Sequence, residues 1–176
     1  DLAKTANDSM RAKNFNGTVV ALDPRSGEVL ALISRPAYDP GALSGREIDS
    51  KIWADLSTNK DRPLRNRAIQ DIYMPGSTFK AIMAIAGMSE GVIKPGTSYF
   101  CPGYFQFGNR RPACWKTHGQ TEIIKAIRES CNVYFYQVGN QLGVDLIAKY
   151  ARMFGLGEPT GIVPRGEQRG LIPDTE

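Results

Sequence analysis

At 176 residues the chain is long enough for one well-formed core, and its make-up of 41% hydrophobic and 23% charged residues is that of an ordinary globular protein. The net charge of +4, from 22 basic and 18 acidic residues, is spread without a Lys/Arg run or interleaved aromatics, which argues against nucleic acid as a partner. Within residues 1–176 no apolar run is long enough to cross a bilayer and no signal-peptide pattern occurs, which bears on this stretch alone and not on a longer parent chain.

In chain order, residues 1–14 have helical composition. Gly17–Leu22 and Glu28–Ser34 flank the turn Asp23-Pro24-Arg25-Ser26-Gly27 and predict an antiparallel hairpin. The second of these runs is apolar on both faces, so layers are expected on both sides of the sheet. Residues 35–70 are Pro/Gly-rich and polar, with a short helix around Asp49–Leu56. Pro75-Gly76 ends an extended segment, and a helix runs from Ser77 to near Gly91. Ala81, Ile82, Met83, Ala84, Ile85, Ala86 and Met88 make it apolar on nearly every side, the pattern of a buried helix. Residues 99–119 read as irregular loop. A helix is expected over Gln120–Glu129, with Ile123, Ile124 and Ile127 inward and Glu122, Lys125 and Arg128 outward. Further helices follow over Val133–Leu142 and Val144–Phe154, the last closed by Gly155. Gly157–Glu176 is turn-rich, with one short extended piece at Gly161–Val163. Together these elements predict an α/β fold of the α+β sandwich kind, an antiparallel sheet covered by helices.

Two polar features stand out. Ser77 and Lys80 sit three positions apart at the head of the apolar helix, so they share a face. A hydroxyl there lies within reach of an amine, and a lysine kept from water has a lowered pKa and serves as a general base. Taken alone, an N-cap serine with a surface lysine explains the pair. The second feature, Ser130-Cys131-Asn132, falls in a break between helices, where a hydroxyl and an amide can point into one cleft; alone, it reads as a helix N-cap. The two motifs in this order, with the hairpin upstream, are far more specific than either.

Three cysteines are present. Cys101 and Cys114 bracket a Gly/Pro/aromatic loop, and in an oxidising compartment a bridge between them would contribute about 3 kcal/mol in the chain-entropy model. Two unrelated thiols is the other reading. Cys131 is expected to be a small buried packing residue. The spacing does not fit a zinc ribbon and His118 is the sole histidine, so no metal is expected.

The chain resembles the first half of the transpeptidase domain of class B penicillin-binding proteins, nearest to the penicillin-binding protein 2 type of the rod-elongation machinery. The resemblance spans nearly the whole chain. It rests on Gly17–Ala31, on Arg65-Asn66-Arg67-Ala68, on Pro75-Gly76-Ser77-Thr78-Phe79-Lys80, on Ser130-Cys131-Asn132-Val133-Tyr134-Phe135-Tyr136 and on Phe154–Ile162. It implies that Ser77 attacks the penultimate D-Ala carbonyl of a peptidoglycan stem peptide, that Lys80 takes the hydroxyl proton, that Ser130 relays a proton to the leaving amine, and that Asn132 holds the substrate backbone and Lys80. It further implies β-lactam acylation, no cofactor, a location on the periplasmic face of the bacterial inner membrane, and a membrane glycosyltransferase and elongation-complex proteins as partners. The family's third motif, a Lys-Thr-Gly-type triplet, is not found. Lys116-Thr117-His118-Gly119 is a near match, but it lies between the first two motifs and reads as part of the loop. A start at Asp1 and a stop at Glu176 are accordingly read as those of an excised piece, residues 1–176 being the N-terminal part of the domain, inactive alone and completed by a C-terminal half carrying the third motif. A serine β-lactamase, a β-lactam sensor domain and a non-catalytic cell-wall scaffold remain as alternatives.

Overall fold

A computed structural model describes residues 1–162 and 164–175. These residues form two compact units, Asp1–Ile72 with Ile162–Gln168, and Tyr73–Gly161 with Arg169–Glu176.

In the first unit α1 (Leu2–Ala12) is capped by Asp1, whose carboxylate accepts from the Lys4 N–H. Strands β1 (Gly17–Leu22) and β2 (Val29–Arg35) pair antiparallel, from Gly17 opposite Arg35 to Leu22 opposite Val29, with an irregularity at Ala21/Leu22. The turn between them closes on Asp23, whose carboxylate accepts from the Arg25 N–H at 2.8 Å and whose carbonyl accepts from the Gly27 N–H at 2.8 Å. Met10 of α1 packs on Ala31 and Ile33, so alternate residues of β2 make one buried face. Layers on both sides of this sheet are not found among the described residues: Val29 and Leu30 are exposed. Asp49 caps α2 (Ser50–Thr58), as the Asp49–Leu56 reading anticipates. Within the stretch read as loop lies one more turn of helix, α3 (Arg67–Gln70), capped by Asn66. Ser34 ties it to β2, donating to the Arg65 carbonyl at 3.1 Å and accepting from the Arg67 N–H at 2.9 Å.

In the second unit a 3-10 turn, Gly76–Phe79, feeds directly into α4 (Lys80–Ser89). Gly76 has φ +58, a backbone that β-carbon-bearing residues rarely adopt, and this lets the chain swing into the 3-10 turn that holds Ser77, so the α-helix expected from Ser77 begins only at Lys80. The helix is not buried all round: Met83, Ala84, Ala86 and Gly87 are inside, while Ala81, Ile85 and Met88 face out. Strands β3 (Ser98–Cys101) and β4 (Gly119–Glu122) pair antiparallel, and isolated bridges Tyr104–Ala113 and Phe107–Arg110 continue the loop between them as a ribbon. The loop reading of this stretch is thus corrected, because pairing between segments distant in sequence decides it. Gln120–Glu122 belongs to β4, and helix α5 is only Ile123–Arg128. Ile123 and Ala126 turn inward, but Ile124 and Ile127 are 68% and 46% exposed, and Lys125 bonds the His118 and Gln120 carbonyls. Helices α6 (Asn132–Leu142) and α7 (Val144–Met153) follow as expected. The core joins α4, α5, α6 and α7 through Met83, Ala86, Ala126, Tyr134, Val138, Leu142 and Tyr150. Tyr134 is fully buried, donates to the Thr97 carbonyl at 3.2 Å and has its hydroxyl pKa pushed up to about 12 by burial. No strand forms at Gly161 and Ile162; Val163, the last residue of that expected piece, lies outside the described residues. Among the described residues no helix is long and apolar enough to cross a membrane.

Candidate active site

Ser77, Lys80, Ser130 and Asn132 meet in the second unit. The eclipsed i, i+3 geometry of the 3-10 turn brings Lys80 Nζ to 3.2 Å from Ser77 Oγ. From a point fifty residues on, Ser130 offers its carbonyl oxygen at 2.9 Å and its Oγ at 2.8 Å, and Asn132 its Oδ1 at 2.6 Å, all to the same amine. Ser130 Oγ stands 2.9 Å from Ser77 Oγ, so the two hydroxyls and the amine form a closed triangle.

The local fold of Ser130 explains how it reaches in twice. It has φ +51, in the left-handed region. Helix α5 ends there: the Ser130 N–H donates to the Ile127 carbonyl at 3.2 Å and the Cys131 N–H to the Ala126 carbonyl at 2.9 Å. That pair of bonds is a Schellman ending, in which glycine is the usual occupant of the left-handed position. Here a serine takes it, and the turn aims both its carbonyl and its hydroxyl at Lys80.

The amine's surroundings bear on its protonation. Of its four close partners, the Ser130 carbonyl and the Asn132 amide oxygen can only accept. These two use both N–H groups of a neutral amine and leave its lone pair for the hydroxyls. Burial, the largest influence, lowers the Lys80 pKa from its ordinary value, and the nearby sulfurs of Cys114 and Cys131 oppose it more weakly. Ser77 itself is exposed, as a nucleophile for an external substrate must be.

The bridge expected between Cys101 and Cys114 is not formed; all three cysteines are free. Instead Cys101, Cys114, Cys131 and His118 converge, with one donor atom from each lying within 4.8 Å of the others. His118 Nδ1 is 3.5 Å from both the Cys101 and Cys114 sulfurs, while Nε2 faces the Glu129 carbonyl at 3.3 Å. Three sulfurs and one imidazole are a donor set suited to a soft divalent cation such as zinc. Burial pushes the Cys131 thiol up to about 12. Burial also works against the Cys114 thiolate, but N–H groups of Val133, Asn132 and Lys116 outweigh it and its pKa is lowered. Sequence spacing hides this convergence, because the β3–β4 ribbon and the α5–α6 turn each contribute donors to it. The one available signal is Cys131 itself, lodged between Ser130 and Asn132.

The sequence matches the penicillin binding protein transpeptidase domain family over residues 17–176, and the chain belongs to that family. It is 41% identical over 172 residues to the peptidoglycan D,D-transpeptidase MrdA of Acinetobacter baumannii, covering 96% of this chain and 25% of that protein. It is 40% identical over 162 residues to MrdA of Escherichia coli, covering 90% of this chain and 25% of that protein. In solved structures, penicillin-binding protein 2 of Helicobacter pylori superposes with a TM-score of 0.89 at 31% identity, over 97% of this chain and 32% of that one. Penicillin-binding protein 2 of Pseudomonas aeruginosa, in complex with WCK 5153, does so with a TM-score of 0.83 at 37% identity, over 90% of this chain and 35% of that one. The chain spans about a quarter of the length of these curated relatives. The fold anticipated from the family resemblance is therefore the fold found.

Proposed function

We propose that the chain is part of a peptidoglycan D,D-transpeptidase of the penicillin-binding protein 2 type, and that Ser77 is its nucleophile. The observation that carries this reading is the triangle of Ser77 Oγ, Lys80 Nζ and Ser130 Oγ, with edges of 2.9, 3.2 and 2.8 Å. In the proposed reaction the neutral Lys80 amine accepts the Ser77 proton as Oγ attacks the penultimate D-Ala carbonyl. The Ser77 backbone N–H is one donor to the oxyanion that forms. The proton passes through Ser130 Oγ to the leaving D-Ala amine, and an acyl-serine remains. An amine from a neighbouring stem peptide then attacks the acyl-serine and completes the cross-link. Asn132 keeps Lys80 oriented through Oδ1 and presents its amide to the substrate backbone. A β-lactam, as an acylating mimic of D-Ala-D-Ala, is trapped on the same serine. The lysine-threonine-glycine triplet of a full-length family member supplies the remaining oxyanion donor and the carboxylate site.

By the same likeness we propose a location on the periplasmic face of the inner membrane and partners in the elongation machinery. Penicillin-binding protein 2 of Helicobacter pylori has been solved in complex with MreC, with a TM-score of 0.89 to this chain. Another neighbour, with a TM-score of 0.80, comes from a peptidoglycan synthase complex.

The test is labelling of the full-length protein with a fluorescent penicillin. Wild type forms a stable adduct on the peptide containing Ser77, and Ser77→Ala forms none. Equal labelling of both proteins sinks the assignment of the nucleophile. Rapid penicillin turnover would move the reading to a β-lactamase, and no labelling of wild type to a scaffold.

A further inference from the structure

Trp115 stands beside the acyl-transfer site and takes no part in its proton transfers. The residue is 63% exposed, yet its ring is held in place. The indole N–H donates to the Glu129 carbonyl at 2.9 Å, the ring stands T-shaped against the His118 imidazole with centroids 5.4 Å apart, and Lys116 Nζ lies 4.7 Å from the ring centre. Glu129 immediately precedes Ser130, whose Oγ is 2.9 Å from Ser77 Oγ. The indole is therefore anchored one residue away from the reacting hydroxyls. A large exposed aromatic that the fold already fixes loses little conformational entropy when it takes a partner.

The surround of the ring is polar and cationic on balance. Lys116 and Arg128 reach the Glu129 carboxylate at 3.0 and 3.4 Å, so two exposed cations share one half-buried acid. Lysine and glutamate are depleted from the cores of protein–protein interfaces, and here they stand against the ring itself. The arrangement suits a ligand that is apolar on one face and polar round its edge. A sugar ring is such a ligand: its C–H groups lie against an indole, while its hydroxyls and amide groups meet ammonium, guanidinium and carboxylate.

The proposed substrate carries sugars of this kind. A stem peptide hangs from an amino sugar of the glycan strand, so a stem that presents its D-Ala carbonyl to Ser77 brings sugar rings near the site with it. We propose that Trp115, flanked by Lys116 and Arg128, is a glycan platform: it stacks on a sugar ring of the strand whose stem acylates Ser77, and it thereby selects strand-borne stems over free peptide. Binding energy from a part of the substrate remote from the reacting bond is available to orient that bond. The route is short here, because the carbonyl that accepts from the indole belongs to the residue leading into Ser130.

The inference rests on the transpeptidase reading, and one experiment separates the two. Full-length protein is given two acyl donors, a synthetic stem pentapeptide and the same pentapeptide on its N-acetylglucosamine–N-acetylmuramic acid disaccharide. The kcat/KM for D-Ala release is measured for each, and the ratio of the two is the readout. Damage passed to Ser130 through the Glu129 carbonyl would slow both donors alike and leave the ratio where it was. In wild type the disaccharide-linked donor is expected to react roughly tenfold faster or more. Trp115→Ala should bring the ratio to about one, and Trp115→Phe, which keeps a ring but loses the N–H, should retain part of it. A peptide-free oligomer of N-acetylglucosamine should slow the wild-type reaction of the disaccharide-linked donor and not that of the bare peptide. Should Trp115→Ala fail to fold, the fall in Trp115→Phe and this competition decide. A wild-type ratio near one, a ratio that the Trp115 variants leave unchanged, or no such competition overturns the platform while leaving the transpeptidase reading intact. Absence of D-Ala release from both donors overturns the transpeptidase reading and the platform with it.

Discussion

Lys80 Nζ lies 2.6 Å from Asn132 Oδ1, the shortest of the contacts that tie the head of α4 to the turn before α6. The pairing joins a half-buried amine to an oxygen that can only accept, and with the Ser130 carbonyl it fixes which of the amine's valences face the hydroxyls. Charge at this amine then governs the site.

Because burial holds the Lys80 pKa below its ordinary 10.5, the neutral amine is populated at lower pH than in a free lysine. The acylation rate of the full-length protein by penicillin is expected to rise with pH through the folded pKa and flatten above it, with a midpoint below 10.5. The same shift bears on stability. Between the folded pKa and 10.5 the unfolded chain binds more protons than the folded one, so this residue's contribution rises with pH. Lys80→Arg, which stays charged, should lose acylation at every pH. A pH-independent rate in wild type would remove Lys80 as the base.

Ser130 offers an internal control, because its left-handed backbone strains any residue but glycine. Both Ser130→Gly and Ser130→Ala remove the hydroxyl, and each should slow acylation by roughly 10²–10⁴-fold. The alanine protein should be less stable than the glycine protein by about 1 kcal/mol. Matched acylation rates with different melting points would assign the loss to proton relay. Recovery of acylation in the glycine variant would assign it to backbone strain.

Glu122 caps α5, its carboxylate accepting from the Ile124 and Lys125 N–H groups at 2.6 and 2.8 Å. The opposite end of that helix is the Ser130 turn. Glu122→Ala should cost about 1 kcal/mol, a fall of about 2–4 °C in melting temperature. An unchanged melting point would show that the strand pairing of Glu122 with Ser98 holds the helix start without the cap.

Gly87 lies where α4 meets α6. A methyl group there would sit 2.9 Å from Val138 Cγ1 and 3.1 and 3.2 Å from two Ile93 carbons. Overpacking costs about 1–3 kcal/mol, while alanine gains about 1 kcal/mol in helix propensity over glycine. Crowding should win, and Gly87→Ala should lower stability by up to about 2 kcal/mol in chemical denaturation. A stabilised variant would show that the two helices separate at little cost.

Much of this protein is legible in its sequence. The hairpin at Asp23–Gly27, the break at Ser130-Cys131-Asn132 and the helices after it follow from local chemistry: turn residues, caps and apolar period. The pairs Ser77 with Lys80 and Ser130 with Asn132 can likewise be singled out, since each is a short motif with a defined backbone setting. Tertiary structure decided what depends on distant pairing. The β3–β4 ribbon joins segments about twenty residues apart, and nothing local in Tyr99–Gly119 announces it. That ribbon turned the expected Cys101–Cys114 bridge into one side of a four-donor cluster, because it set His118 between the two sulfurs and Cys131 beside them. The same ribbon tied Cys114 to Asn132. The sequence by itself thus determined which residues could do the chemistry. The fold decided how closely they stand and what holds them there, because those distances are set by packing across the chain and not along it.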